Sequence, residues 1–171
     1  MNREIMKNIE ALADPDRNTR LKAVKRLADN GQPAVEPLIM AIEHAESLDI
    51  RWYAAVALAR IGRPAIEPLI TALKGNRDSE FRRYASAALG HMGEEAVDPL
   101  LSAMKGADPS LRGFLSASLC RIGPPALEKL REAYASPDTE LRECATLTLW
   151  EMGESGIIEM MQALERDEGE S

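Results

Sequence analysis

The stretch RWYAAVALARIGRPAIEPLITALKG, residues 51–75, decides the fold. Apolar residues recur in it at spacings of three and four, first up to Ile61 and again from Ala65, as they do on one face of an α-helix. Gly62 stands between the two halves, where a helix C-cap takes a positive φ. Pro68 lies about one turn into the second half, where its missing N–H costs little. The stretch therefore predicts two short helices joined by a glycine turn.

The same pattern recurs five times along the chain with a period of 30 or 31 residues. Each copy has an arginine in its first half and a glycine eleven residues later. The arginines are Arg20, Arg51, Arg82, Arg112 and Arg142, and the glycines are Gly31, Gly62, Gly93, Gly123 and Gly153. A fixed period of this length is typical of stacked structural repeats. We therefore expect an all-α protein built from repeated helix pairs.

A good N-cap residue stands four positions before each of these arginines. The five residues are Asp16, Ser47, Asp78, Asp108 and Asp138. Their side-chain oxygens can accept hydrogen bonds from the free N–H groups of a first helical turn. Each arginine lies beside the apolar stripe and near a capping aspartate of its own or the adjacent repeat. We interpret the arginines and the four capping aspartates as a structural Asp–Arg ladder that fixes the register between repeats.

The repeat boundaries predict one domain that spans residues 1–171. Residues 1–14 form an unpaired helix of the second type, and the repeats cover 15–45, 46–76, 77–106, 107–136 and 137–166. Residues 167–171 are expected to fray as an acidic tail. Glu159 and Gln162 are expected to be exposed and to help the last helix cap the array. This division gives about eleven helices in five and a half repeats.

The repeated pattern D-x-x-x-R, A-x-x-L, I-G and A-V-E-P-L-I-x-A-L resembles the HEAT-like repeat, in the short-unit form named after phycobilisome lyases. The resemblance covers essentially the whole chain. It implies a right-handed α-solenoid of about five and a half helix pairs, with the first helix of each pair lining the concave face. Members of this superfamily include protein-binding scaffolds, bilin lyase subunits, deoxyhypusine hydroxylase and alkylpurine DNA glycosylases, so the fold leaves the activity open.

Composition excludes several classes of protein. The 171 residues carry a formal net charge of −7, and only 4% of them are aromatic. No apolar run approaches the ~18 residues of a membrane-spanning helix, and the start lacks the apolar block of a secretory signal. We therefore expect a cytoplasmic protein without membrane contact. The pI of about 5.0 disfavours the broad basic surface of a non-specific nucleic-acid binder.

Residues that could support catalysis or metal binding are sparse, so we expect neither an enzyme nor a cofactor or metal site. The di-iron hydroxylases that the resemblance includes need several His-Glu pairs, whereas His44 precedes Ala45 and His91 precedes Met92. Cys120 falls at a small packing position. Cys144 is expected to face outward, but its repeat holds no His or second Cys to activate it.

The candidate binding residues lie on the side of the first helices that points away from the apolar stripe. Four of the seven aromatic residues fall in these columns, and the central repeats add arginines and a histidine there without an acid. The predicted partner-binding residues are Trp52, Tyr53, Arg60, Arg83, Tyr84, His91, Phe114 and Arg121. Arginine and aromatic side chains are common anchors of protein interfaces. An alternative remains open, in which Tyr53, Tyr84 and Phe114 stack along the solenoid as a structural ladder.

These observations favour a monomeric, non-catalytic scaffold or adaptor. Its expected partner is a protein or peptide of acidic and apolar character. Two alternatives use the same arginine and aromatic surface. One is a bilin- or cofactor-lyase-like accessory protein, and the other is a HEAT-like nucleic-acid-binding protein.

Overall fold

The computed structural model describes residues 3–169, and this part of the chain holds eleven α-helices and no β-strand. The first helices of the five repeats are α2 (Arg17–Asn30), α4 (Leu48–Ile61), α6 (Ser79–Gly90), α8 (Pro109–Ile122) and α10 (Thr139–Glu151). The second helices are α3 (Gln32–His44), α5 (Arg63–Gly75), α7 (Val97–Met104), α9 (Pro124–Tyr134) and α11 (Glu154–Gly169), and α1 (Arg3–Glu10) precedes the first repeat. The predicted all-α, helical-repeat fold is confirmed.

The starts and stops of the first helices follow the sequence signals. Each of the five predicted caps accepts a hydrogen bond from the backbone N–H three residues later, as Asp78 does from Phe81 at 2.7 Å. The glycine between the two helices of each repeat has a positive φ, which is 71° at Gly62. Glycine reaches this conformation without the strain that a Cβ would add. In four repeats the chain therefore passes from the first helix to the second within one or two residues, whereas in the third a 3₁₀ turn at Glu94–Ala96 lies between α6 and α7.

The core is built from the apolar stripe of each helix. In the first helices, the leucines seven positions after each arginine are buried, and so are most of the small residues four positions earlier, such as Ala54 and Ala85. Phe81 is the largest fully buried side chain. Small residues at these positions allow helices to approach closely, so the low aromatic content suits the packing.

The described chain divides into two compact units. Unit 1 ends at Met92 and unit 2 begins at Gly93. Unit 1 contains α1 to α6, and unit 2 contains α7 to α11. The division falls within the third predicted repeat, 77–106, and the single-domain organisation stays a prediction.

The repeat arginines hold the structure together in a different way from the predicted ladder. In four repeats the guanidinium donates to a backbone carbonyl six residues earlier, as Arg51 does to Ala45 at 2.7 Å. Arg112 reaches the carbonyl of Met104, eight residues earlier. These carbonyls lie at or just after the end of the preceding helix, where intrahelical donors run out. The arginines therefore cap the C-terminal ends of helices.

Acidic partners of the arginines also differ from the prediction. Arg51 pairs with Glu80 at 2.9 Å, and Arg112 pairs with Glu140 at 2.6 Å. In both cases the acid stands two positions before the arginine of the next repeat. The expected pairing of Arg51 and Arg112 with capping aspartates is therefore replaced by pairing with these glutamates. The two ion pairs join neighbouring repeats, and the ladder over all five repeats stays a prediction.

The C-terminal end departs from the expected polar cap and frayed tail. Helix α11 continues to Gly169, so it includes residues 167–169 of the predicted tail, and residues 170–171 lie outside the described part. Gln162 is exposed, but Glu159 is partly buried in an ion pair with Arg131 at 3.0 Å. Glu159 is therefore not available as an exposed capping residue, because it is paired with Arg131 inside the protein.

Candidate functional site

The predicted binding residues of unit 1 lie on α4 and α6, which pack against each other. We call the side of α2, α4 and α6 that points away from the core the outer face. Trp52 is 55% exposed there, and Arg60, Arg83 and His91 are exposed as well. On α2 the same face carries the exposed Lys22 and Lys25. The structure thus brings four predicted site residues to the solvent side of two neighbouring helices.

The tyrosines in the predicted site do not share this exposure. Tyr84 is only 8% exposed, and Tyr53 is half-buried. The guanidinium of Arg20, in the preceding repeat, lies 5.3 Å from the centre of the Tyr53 ring, and that of Arg83 lies 5.1 Å from the Tyr84 ring. The expectation that this column is open to solvent is wrong for Tyr84. Both tyrosine rings contact an arginine, and the alternative in which the aromatic rings stack along the solenoid stays a prediction.

Helix geometry gives the reason for this difference. At 100° per residue, the position two after each arginine lies only about 100° from the centre of the core stripe. It therefore sits on the flank of the helix and not on its outer face. Cys144 occupies the equivalent position in unit 2 and is 1% exposed, which corrects the expectation that it faces outward.

Acidic side chains on the outer face were missed by the sequence analysis. Asp49 and Glu80 stand two positions before the repeat arginines and are exposed. Glu80 contacts both Arg83, at 3.2 Å, and Arg51. At 100° per residue, the position two residues before each arginine lies close to the most outward positions of the helix. The exposure of Asp49 and Glu80 could therefore have been predicted from helix geometry. Positive charge at Arg83 is thus partly balanced by a neighbour.

Arg60 and His91 lie on the part of the outer face where, among the described residues, basic side chains are not paired with acidic ones. Arg60 lies in the last turn of α4, and His91 is the C-cap of α6. Cations are favourable at helix C-termini, where the backbone carbonyls give a partial negative charge. Within the described residues, Arg60 makes no ion pair. Its guanidinium can therefore bind an anionic group from another molecule.

The remaining two predicted site residues belong to unit 2. Phe114 is half-buried on α8, and Arg121 is exposed in the last turn of the same helix. They are separate in sequence from the four exposed predicted residues of unit 1, which are Trp52, Arg60, Arg83 and His91.

Neither cysteine has the environment of a nucleophile. Burial raises the pKa of the Cys144 thiol. Burial, followed by the negative charge of Glu151, raises the pKa of Cys120. A raised pKa lowers the fraction of reactive thiolate. Both residues are therefore suited to packing.

Among the residues whose side chains the structure describes, which end at Arg166, no three His, Cys, Asp or Glu side chains come together as a metal site would require. None of the helices within residues 3–169 is both long and apolar enough to cross a membrane.

Comparisons with proteins of known structure return distant matches. The complex of CpcE and CpcF of phycocyanin lyase from Nostoc sp. PCC7120 is 22% identical over 84% of this chain and 96% of the other, with a TM-score of 0.43. Two engineered proteins are 20% and 21% identical over 95% of this chain and 85% and 87% of theirs, with TM-scores of 0.35 and 0.31. No curated protein matches the sequence significantly.

The family comparison is more extensive. The pattern of HEAT repeats matches residues 5–90, 35–112 and 66–150 in overlapping stretches, which together cover most of the chain. The matched stretches include the five helix caps, the repeat arginines and four of the five glycine turns described above. The chain belongs to the HEAT-repeat family.

Proposed function

We propose that this protein is a non-catalytic HEAT-repeat scaffold that binds a segment of a partner protein on the outer face of unit 1. The observation that carries the proposal is the exposure of Trp52. An indole of this size on the surface is costly to leave in water, and the fold does not use it for packing. Tryptophan and arginine are the residues most enriched among the side chains that dominate binding at protein interfaces.

The charges of the outer face indicate the partner's character. Arg60 follows Trp52 by eight residues on α4, which corresponds to about 12 Å along the helix axis. Arg60 and His91 end neighbouring helices at the same side of the unit. The partner segment is thus expected to place an apolar side chain on Trp52 and an acidic group near Arg60.

The roles of the other predicted residues are narrower than the sequence suggested. Tyr53 and Tyr84 have a structural role next to the outer face, through their packing and their contacts with Arg20 and Arg83. Arg83 is shared with Glu80. Direct contact with the partner is therefore assigned to Trp52 and Arg60, with His91 beside them.

A non-catalytic role is supported by the chemistry of the titratable groups. Both cysteines have raised pKa values, which disfavours a thiolate nucleophile. His44 ends a second helix, whereas His91 ends a first helix, so the two histidines belong to different elements. HEAT-like folds carry many different activities, so this role rests on the residues of this chain.

The test is a pull-down that compares the wild type with a Trp52→Ala/Arg60→Ala variant. The matched control is Met40→Ala/Lys74→Ala, which removes one exposed apolar and one exposed basic side chain from the second helices of the same unit. Proteins lost with the first variant and kept by the control would identify the partner and the face. Equal recovery with all three baits would overturn the assignment.

Nuclease treatment of the same samples separates a protein partner from nucleic acid. The proposal expects recovery to survive nuclease and to fall gradually with salt. Loss after nuclease treatment, with a steep salt dependence, would assign the outer face to nucleic acid and contradict the proposal.

A further inference from the structure

A second unused surface lies at the other end of the chain, on α10 and α11. Six of the nine exposed large apolar side chains of the described chain are found here. They are Leu147, Trp150, Ile157, Ile158, Met161 and Leu164, and we call them the end patch. Trp150 is 68% exposed and Met161 is 58% exposed. This number of exposed apolar side chains on two helices that pack together indicates a contact surface.

The residues of α3 that are equivalent to the end patch are covered by other helices. Ile157, Met161 and Leu164 occupy the same repeat positions as three residues of α3, which are Val35, Ile39 and Ile42. Those three are buried in unit 1, where helices of the following repeats pack on α3. The equivalent surface of α11 has no such helix over it within the described residues. The end patch therefore has the form of a surface that receives a helix.

Two members of the end patch differ from the residues found at these positions in the other repeats. Trp150 replaces Ala28, Ala59, Gly90 and Cys120, the small or compact residues at its position. Ile158 replaces Glu36, Glu67, Asp98 and Glu128. A bulky indole prevents the close approach that a small residue permits between stacked repeats. The end patch is thus adapted to a helix other than another HEAT-like pair in the same register.

The residues that border the end patch are mainly acidic, which favours a helix with basic side chains as the ligand. Exposed Glu154 and Glu165 lie within one turn of Ile158 and Met161 on α11, and exposed Glu143 lies one turn before Leu147 on α10. From residue 137 to the end, the sequence contains ten Asp and Glu against two Arg, whereas the residues before it have 18 acidic and 19 basic side chains. An acidic border of this kind attracts a cationic ligand and repels an identical patch on a second copy.

We propose that the end patch is a docking surface for a basic amphipathic helix of a partner protein. The apolar face of that helix lies on Trp150 and Met161, and its Lys or Arg residues reach the bordering glutamates. At the observed exposures the six side chains offer roughly 600 Å² of apolar surface, close to the ~800 Å² per partner of a standard protein interface once a polar rim is included. This surface is separate from the outer face of unit 1, which the proposed function uses.

The chain contains a built-in reporter for this proposal. Trp52 and Trp150 are the two tryptophans of the sequence, so a Trp52→Phe variant leaves Trp150 as the single indole. The probe is a synthetic Leu/Lys peptide of about 18 residues, with Leu at helical spacing and without tryptophan. Binding is expected to shift the Trp150 emission to shorter wavelength in a saturable way. A scrambled Leu/Lys peptide and a Leu/Glu peptide of the same length are expected to leave it unchanged.

The decisive variant is Ile158→Glu in the same background. This change restores the acidic residue type found in the other repeats, and it adds negative charge while removing apolar surface. Docking on the end patch predicts that the Leu/Lys peptide binds about tenfold more weakly, since an apolar contact is lost. Purely electrostatic attraction predicts equal or tighter binding, and that result would overturn the proposal. Because Ile158 is exposed, the variant should fold, which thermal melting followed by circular dichroism checks.

Two further outcomes would also overturn the proposal. One is binding of the Leu/Lys peptide without any change in Trp150 emission, which would place the contact elsewhere. The other is a dimer of the wild type in light scattering that Ile158→Glu converts to a monomer, because a second copy would then cover the end patch. Neither outcome bears on Trp52 and Arg60, so the two proposals fail independently.

Discussion

The two tryptophans of this protein are both exposed, but the charged residues on their surfaces differ. Trp52 shares the outer face of unit 1 with Arg60, Arg83 and His91 and also with Asp49 and Glu80, whereas the unit 2 helix that carries Trp150 has the exposed Glu143. Trp52 occupies an outward position of its helix. Trp150 occupies a position that is small or compact in the other repeats. The position of a large side chain in the repeat therefore does not decide by itself whether it is exposed, because exposure also depends on what packs next to the repeat.

The largest effect on stability is expected when the buried leucine on the helix of each tryptophan is replaced. Leu58 and Leu149 are fully buried, so Leu58→Ala and Leu149→Ala should each lower the free energy of unfolding by about 3–5 kcal/mol. Trp52→Ala and Trp150→Ala should change it by less than about 1 kcal/mol, as exposed sites do. Urea unfolding measures all four. A tryptophan variant as unstable as its leucine counterpart would show that the indole packs in solution.

The next largest effect is a difference in stability between variants of the exposed Trp52 and variants of the buried Tyr84. Tyr84→Ala removes a ring that is 8% exposed, so we expect a loss of about 3 kcal/mol in the free energy of unfolding. Tyr84→Phe keeps the ring beside Arg83 and serves as the control, which should retain most of the stability. If Tyr84→Ala cost no more than Trp52→Ala, the structural role given to Tyr84 would be wrong.

A smaller effect is expected at the start of α6, the helix that carries Arg83 and His91. Asp78 accepts a hydrogen bond from the N–H of Phe81 at 2.7 Å. Asp78→Ala should lower the free energy of unfolding by about 1 kcal/mol, and Asp78→Ser should recover most of that loss because serine also caps helices. Thermal melting at neutral pH measures both variants. Equal stability of Asp78→Ala and the wild type would show that the cap contributes nothing.

The smallest effect concerns the cap of α10, the helix that carries Trp150, and it depends on pH. The pKa of Asp138 is lowered chiefly by a hydrogen-bonded ion pair with Lys105, and further by the N–H of Leu141. Its contribution to stability is therefore complete above the ordinary Asp pKa of about 3.9, and it is lost as the pH falls through the lowered folded-state pKa.

Melting temperatures across this pH range test the prediction. Asp138→Asn should melt below the wild type at neutral pH, and the gap should narrow as the pH falls below about 4. Lys105→Met keeps the cap but removes the ion pair, so it should show a smaller gap with the same trend. A gap that stays constant down to the lowest pH would contradict the assignment of this carboxylate.

Local sequence signals predicted most of the fold. The capping residues, the glycine turns and the buried leucines each act within a few residues, so their positions follow from helix geometry alone. Arg51 and Arg112 contact helix-end carbonyls and glutamates in place of the expected capping aspartates, and the ladder over all five repeats stays a prediction. The carbonyls that they contact lie in the preceding turn of the chain, and Glu80 and Glu140 lie in the next repeat.

The candidate surfaces were predicted less well. Trp52 and Arg60 are exposed as expected, whereas Tyr84 and Cys144 are buried because their column faces the neighbouring repeat. The end patch was missed. Met161 and Leu164 have the residue types of a normal core position, and nothing in their local spacing distinguishes a covered position from an uncovered one.

The sequence by itself determined that this chain forms repeated helix pairs and which stripe of each helix is apolar, since both depend on contacts within about four residues along the chain. Tertiary structure decided which of the remaining side chains meet solvent. A side chain on the flank of a helix is buried or exposed according to the helix beside it, and that neighbour comes from residues about 30 positions away in the sequence. For this reason Tyr84 is buried, Trp150 is exposed, and the acidic end of the molecule carries a surface prepared for another helix.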